Sequence, residues 1–286
     1  MPMSALDLPE HIRAMPDPEF LELLVASVGS REVAGVRLPG FPEDIIQSNF
    51  VGSAGETALR EAYQFWTLLK DYAALLDRPI GRATRMLDFG SGWGRYLRFL
   101  WKDIDVANLH GVDVDPGIVA RCQALGIPGQ LQPIAPRGTL PFPDGYFDAV
   151  MAYSVFTHLP ADVNLHWMRE IARVCRPGAV FALTLEPRRF LEFVRDEAPV
   201  SESPWHRMLA KFEPRVDDWL EDFDRGEFVY IPTGGGEYRP SDTYGDAAVP
   251  LEWIETQWAQ HWGVREYIDD AGRFWQAVLV VQRQGH

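Results

Sequence analysis

The sequence predicts an α/β protein with a mostly parallel sheet, crossover helices and an antiparallel hairpin at its end. Three observations predict it. Short apolar runs alternate with helical stretches over residues 84–186, the first run closes in the glycine-rich turn GSGWG, and two late apolar runs are separated by a tight turn. A helical extension over residues 1–80 precedes a core of 81–286, which an insertion at about 187–249 interrupts.

Taken in order, residues 1 to about 45 are rich in proline and turn formers, with one amphipathic helix predicted at 18–28. A second helix is predicted over 56–76. The strand candidates follow: MLDF at 86–89, LHGVDV at 109–114, a weaker run at 130–134, FDAVMAY at 147–153 and AVFALTL at 179–185. Helices are expected between them at 93–101, 116–125 and 160–175. In the last, Val163, Trp167, Ile171 and Val174 recur at helical intervals and make one buried face. Gly178, just after Pro177, is expected to end that helix and open the fifth strand. The insertion holds RRFLEFVRDE, an acidic helix-like stretch around 217–224 and the loop TGGGEYRPSDTYGDAAV. PLEWIETQWAQHW then reads as a helix with proline in its first turn. GVREYIDD and FWQAVLVVQRQ read as the hairpin, with Gly272 in its turn.

A turn between strand and helix uses glycine where a ligand must approach the backbone, because any side chain would block the free N–H groups of the helix start. Gly90, Gly92 and Gly94 meet that need. Three ligands are open at this point: a dinucleotide, a phosphate or an adenosyl group. The dinucleotide fingerprint wants a third glycine where this chain has Arg95, and no Gly-Lys-Ser/Thr closes a phosphate loop. Asp113, at the end of the second strand, is placed to accept both hydroxyl protons of a ribose. Asp115, directly before Pro116, suits the helix cap.

Charge and cysteine content narrow the partners. Lys and Arg number 27 against 41 Asp and Glu, a formal charge of -14 that repels a polyphosphate backbone, so nucleic acid is not expected. Cys122 and Cys175 have no paired spacing and read as reduced, packed thiols. The N-terminus lacks a basic stretch followed by an apolar one, and no apolar run is long enough to span a bilayer. A cytoplasmic protein without a membrane partner is the expectation. No set of histidines and acids stands at metal-ligand spacing.

With these residues in view, the chain resembles the class I S-adenosylmethionine-dependent methyltransferases. LDFGSGWGR is similar to the family's first motif and GVDVDPGIV to its second; LPFPDGYFDAVMAYSVFTHLP and IARVCRPGAVFALTL are similar to the segments around its fourth and fifth strands. The resemblance covers roughly 84–186 and 250–283 and implies a Rossmann-like seven-stranded sheet with a lid-like insertion. It implies that S-adenosylmethionine is the cofactor and S-adenosylhomocysteine the product. Asp88, Ser91 and the backbone of Gly90, Gly92 and Gly94 would then hold the methionine portion, Asp113 the ribose and Val114 the adenine. Tyr153 and Ser154 would line the methyl-transfer site, with Tyr153 also at the cofactor. The stretch LQPIAPRGTL lacks the acid with which the family often contacts the adenine amine. SVFTHLP and YGDAAVPLEWIETQ further resemble bacterial small-molecule methyltransferases of sugar and polysaccharide biosynthesis, which implies a small-molecule or glycan acceptor. The tetrad of nucleic-acid amino methyltransferases is absent, since AYSV stands in its place.

Methyl transfer to a hydroxyl needs a group that removes its proton, and His158 is the candidate base, with Tyr153 as a second catalytic candidate. A packing role at the helix start competes for His158. His206, His261 and Glu237 are secondary candidates, His261 read as lying within the terminal helix. Trp253, Trp258 and Trp275 are read as core. Trp93 is expected either beneath the cofactor or as a wall of the acceptor pocket. Competing functions are N-methylation of a small amine and a non-catalytic, cofactor-binding scaffold.

Overall fold

The computed structural model describes residues 8–285; the first seven residues of the predicted N-terminal extension lie outside them. The central sheet has seven strands: β1 (Met86–Phe89), β2 (Leu109–Asp113), β3 (Gln130–Pro133), β4 (Phe147–Ala152), β5 (Cys175–Leu185), β6 (Trp262–Ile268) and β7 (Ala277–Arg283). Their order is β6-β7-β5-β4-β1-β2-β3. β1 pairs parallel with β2 and β4, and β2 with β3, whereas β7 runs antiparallel to both β5 and β6. This is the Rossmann-like methyltransferase sheet that the apolar rhythm and motifs predict. The chain forms two compact units, one running through Ile134 together with Tyr146–Met151, the other comprising Ala135–Gly145 and Ala152 onward.

In the first unit, helices α1 (Glu10–Arg13), α2 (Asp17–Ala26), α3 (Asp44–Val51) and α4 (Gly55–Leu75) precede the sheet. α4 buries Ala58, Ala62, Phe65, Trp66, Leu69 and Ala73, a helical stripe. Trp66 packs between Phe20 of α2, at 6.5 Å, and Phe99 of α5 (Arg95–Asp103), at 5.2 Å. Burying a side chain of that size contributes roughly 2–3 kcal/mol. α5 also buries three cations, Arg95, Arg98 and Lys102. Lys102 pairs with Asp17 at 2.8 Å. Arg98 lies flat on Phe41 at 4.0 Å and donates to the carbonyls of Pro39 and Gly40. A buried guanidinium is tolerated when carbonyls take its N–H groups; burial still pulls its pKa down to about 9. These contacts fasten the N-terminal segment to the helix that leaves the glycine turn.

In the second unit, α7 (Ala161–Val174) carries the predicted face of Val163, Trp167, Ile171 and Val174. The helix also holds the segment after β3, with Trp167 Nε1 donating to the Pro136 carbonyl, Glu170 accepting from Leu140 N, and Arg173 donating to the Leu140 and Phe142 carbonyls. The insertion folds as α8 (Arg188–Asp196), α9 (Pro204–Leu209), α10 (Val216–Asp224) and a strand pair, Val229–Ile231 with Asp246–Ala248. Phe190, Leu191, Val194, Leu209, Val216 and Ile231 make its own core. Among the described residues, no helix is long and apolar enough to cross a membrane.

Several expectations need correction. The fifth strand opens at Cys175, not at Gly178, because Pro177 biases Arg176 away from helical backbone; Gly178, at φ 81°, is a kink within the strand. The terminal helix α11 (Leu251–Gln257) stops early, which places His261 in a turn. There Trp258 and Trp262 anchor their indole N–H groups to Asn164 and to the Met168 carbonyl, and Trp262 already begins β6. Trp275 is 52% exposed and Trp253 half-buried, so of the three tryptophans read as core only Trp258 is fully so. The short helix α3 and the hairpin Glu32–Val33 with Val36–Arg37 went unforeseen, because turn formers dominate there.

Candidate functional site

In the first unit the polypeptide leaves β1 through Gly90, Gly92 and Gly94, all at positive φ (78°, 50° and 76°). Left-handed backbone at alternate positions costs any other residue about 1–2 kcal/mol each. The turn is held from the end of β2. The Val112 carbonyl accepts from both Gly90 N and Ser91 N at 2.9 Å. Asp113 Oδ2 accepts from Gly92 N at 2.8 Å, while its Oδ1 accepts from Asp115 N at 3.0 Å. Asp113 therefore shapes the loop itself. Asp115 caps α6 (Pro116–Leu125), accepting from Gly117 N and Ile118 N. Val114 is half-buried just past β2.

Asp88, at 2% exposure, sits one residue before the end of β1, and its Oδ2 has no hydrogen-bond partner among the described residues. Ser91 Oγ is buried and unpartnered as well. Burial, then the charge of Asp113, push the Asp88 carboxyl up to about 7. A buried acceptor of this kind calls for a donor, preferably a cation, and a cofactor bearing an ammonium group fits it. Trp93 is 1% exposed, 6.0 Å from Phe41 and 5.4 Å from the Arg98 guanidinium. It packs against the N-terminal segment. Arg95 likewise turns to that segment, donating to the Ala58 carbonyl and to Tyr96.

The second unit gathers another set of polar groups. The stretch after β4 pairs with the end of the insertion, Ala247 N donating to Thr157 O at 2.7 Å and Gly245 N to His158 O at 2.8 Å. This short ladder sets His158 beside Asp246. His158 Nδ1 lies 2.7 Å from the Gly245 carbonyl and 3.6 Å from Asp246 Oδ1. The ring stacks on Tyr244, with centroids 4.5 Å apart. Its Nε2 is 3.4 Å from Ser154 Oγ. Burial lowers the imidazole pKa, outweighing the pull of Asp246 and the Gly245 carbonyl; Arg239 adds to the lowering. Asp246 is itself raised by burial, and it accepts from Thr233 Oγ1 and Trp205 Nε1.

Ser154 is held at φ 57°, left-handed backbone that a serine adopts only under constraint. Its N–H donates to Thr184 Oγ1 at 2.7 Å, and its Oγ accepts from Gln276 Nε2 at 3.0 Å. The same Gln276 nitrogen donates to Glu186 Oε1 at 3.1 Å. Glu186 is buried at the end of β5; burial and then Asp246 push its carboxyl up to about 8. Tyr153, half-buried, directly precedes Ser154.

Of the other sequence candidates, His206 pairs with Ser201 Oγ and packs on Phe193 inside the insertion. Glu237 lies exposed on a loop, and His261 lies in the turn before β6. Sequence reasoning missed Glu186, Asp246 and Gln276. Signals for them existed: a glutamate ending the apolar run ALTLE, an aspartate directly after the Tyr-Gly pair, and a glutamine at the head of AVLVV.

Comparison with known proteins agrees with this architecture. Residues 87–183 match the family model described as a methyltransferase domain. The chain is 32% identical over 199 residues to the 2-methyl-6-phytyl-1,4-hydroquinone methyltransferase of Synechocystis sp., covering 65% of this chain and 59% of that one. It is 26% identical over 154 residues to the ajmaline N-methyltransferase of Rauvolfia serpentina, covering 52% and 51%. The chain thus spans between half and three-fifths of the length of these curated relatives. Among solved structures, the PH0226 protein of Pyrococcus horikoshii OT3 superposes with a TM-score of 0.56 at 16% identity, over 84% of this chain and 97% of that one. An S-adenosylmethionine-dependent methyltransferase of Mesorhizobium loti gives 0.50 at 14% identity, over 77% and 98%. Residues 87–183 are thus similar to a methyltransferase domain, and the fold that carries them is shared with the PH0226 protein and with the S-adenosylmethionine-dependent methyltransferase of Mesorhizobium loti.

Proposed function

We propose that the protein transfers a methyl group from S-adenosylmethionine, releasing S-adenosylhomocysteine, to a hydroxyl of a small molecule, with a sugar or glycan as the acceptor. The observation that carries the reading is the His158–Gly245 hydrogen bond. It leaves a neutral imidazole with a basic Nε2 in a unit that also offers Ser154, Thr184, Glu186 and Gln276 as hydrogen-bonding groups. Such a set matches a hydroxylated acceptor better than an apolar one. The curated relatives are named for a hydroquinone and for the nitrogen of ajmaline, so acceptor chemistry varies among proteins similar to this one.

In this reading Asp88 takes the cofactor's ammonium, the turn from Gly90 through Ser91 and Gly92 to Gly94 takes its carboxylate end, Asp113 the ribose hydroxyls and Val114 the adenine. Tyr153 lies at the sulfonium side. Once bound, the cofactor supplies a methyl group activated by positive sulfur. The protein's own contribution is to align the acceptor oxygen for in-line attack and to remove its proton. His158 is the base, and its low pKa keeps it unprotonated at neutral pH. Residues 1–80 and about 187–249 are read as additions to the methyltransferase domain; deleting the insertion is expected to spare cofactor binding and abolish transfer.

The test is calorimetric titration of the whole chain with S-adenosylhomocysteine, followed by transfer of labelled methyl to a panel of sugars, phenols and amines. Saturable binding with labelled sugar is the expected result. Absence of binding removes the proposal, and label on amines alone removes its acceptor.

A further inference from the structure

Both ring nitrogens of His158 have polar neighbours. Nδ1 faces the Gly245 carbonyl, one ring face is covered by Tyr244, and Nε2 faces Ser154 Oγ at 3.4 Å. Ser154 Oγ is thus the group placed to hand a proton to Nε2. The direction of the Ser154 hydroxyl follows by counting donors and acceptors. Gln276 Nε2 has two N–H groups and spends them on Glu186 Oε1 and Ser154 Oγ. Ser154 Oγ thus gives up one lone pair to Gln276. His158 Nε2 has no proton to offer, since a carbonyl at Nδ1 only accepts. The hydroxyl hydrogen of Ser154 then points at Nε2, and one Oγ lone pair remains for a ligand. A second group awaits a ligand too: Gln276 is 7% exposed, and its Oε1 has no partner among the described residues.

Resting on the reading of a hydroxyl acceptor, we propose that Ser154 is a catalytic proton relay between that hydroxyl and His158, and that Gln276, held by Glu186, is the positioning residue that aims it. The step balances within the groups named. The acceptor O–H proton passes to Ser154 Oγ as the serine's own proton passes to His158 Nε2. The acceptor oxygen's electron pair forms the new O–CH3 bond, and the pair of the broken S–CH3 bond stays on sulfur. Serine and imidazolium regain their starting states when the proton leaves to solvent after the product. The loose 3.4 Å contact tightens when the acceptor is bound, as catalytic hydrogen bonds commonly do.

The decisive variant is Ser154→Gly, because φ 57° is natural to glycine and the fold is not placed at risk. With the hydroxylated acceptor that the wild type methylates, Ser154→Gly is expected to lower kcat by about a hundredfold or more. The affinity for S-adenosylhomocysteine should stay unchanged. The double variant with His158→Ala should fall no further than His158→Ala alone. Gln276→Ala should lower kcat in the wild-type background and do nothing in the Ser154→Gly background. Independently of turnover, the 15N resonance of His158 Nε2 in the whole chain should move downfield, toward an unbonded imine nitrogen, in Ser154→Gly. A kcat unaffected by Ser154→Gly, losses that multiply with His158→Ala, or an unmoved Nε2 resonance overturns the relay while hydroxyl methylation stands. A wild type that methylates no hydroxyl overturns the functional reading and the relay with it.

Discussion

His158 Nδ1 lies 2.7 Å from the carbonyl oxygen of Gly245, and because a carbonyl only accepts, this contact decides which ring nitrogen carries the proton. Nε2 is left basic. Burial holds the pKa below its usual 6.5, so protonation removes the base only as the pH falls beneath that value. The rate should climb with pH on the acid side, with the midpoint of that limb below pH 6.5. His158→Ala should lower kcat by about 10²–10⁴-fold, with S-adenosylhomocysteine affinity unchanged. A pH–rate profile of both proteins checks this; an acid limb centred above 6.5 would speak against it.

Glu186 carries a stability signature of opposite sign. Its folded pKa is raised from 4.5 to about 8, so the folded chain holds a proton that the unfolded chain has lost between those values. The stabilisation is fully present below pH 4.5 and is lost as pH rises toward 8. Glu186→Gln, uncharged throughout, should flatten that slope and unfold at higher urea than the wild type at pH 8. Equal slopes in urea midpoints across that window would show that the buried carboxyl does not titrate as its surroundings dictate.

Asp88 predicts a proton release on cofactor binding. Its carboxyl is raised to about 7 while Oδ2 is unpartnered, and an arriving ammonium favours the charged form. Calorimetry with S-adenosylhomocysteine below pH 7, in two buffers of different ionisation enthalpy, should give different apparent heats. Asp88→Asn should abolish the difference.

Gly94 and Gly52 make a matched pair for the turn, both at φ 76°. A Cβ at Gly94 falls 2.6 Å from Ile127 Cγ2, whereas one at Gly52 meets nothing within 4 Å. Gly52→Ala should cost only the left-handed strain, about 1–2 kcal/mol. Gly94→Ala adds overpacking of about 1–3 kcal/mol. Urea unfolding of the two variants measures the difference, and equal losses would mean that Ile127 gives way freely.

The sheet was legible because its inner strands are apolar runs bounded by a helix start or a turn, and because Gly90, Gly92 and Gly94 mark the first crossing. Asp115 was legible as a cap for the same local reason, since cap chemistry needs only the next three residues. What was not legible depends on contacts far apart in sequence. Asp246 meets His158 from a strand pair inside the insertion, and Gln276 meets Ser154 from the last strand, 122 residues on. No local period announces such meetings. Arg98 was hidden in another way: its charge reads as a solvated helix face, yet the carbonyls of Pro39 and Gly40 allow it to be fully buried. Trp275 erred in the opposite sense, since hydrophobicity alone placed it in a core from which the hairpin turn holds it out.

The central claim is methyl transfer to a hydroxyl with His158 as base. The most direct measurement supplies S-adenosylmethionine bearing a trideuterated methyl to wild type and His158→Ala with a sugar acceptor, and locates the label in the product by mass spectrometry and NMR. One deuterated methyl is expected on an oxygen of the acceptor with the wild type and, with the variant, the same product formed about 10²–10⁴-fold more slowly. Label on nitrogen or carbon, or equal rates for the two proteins, would contradict it.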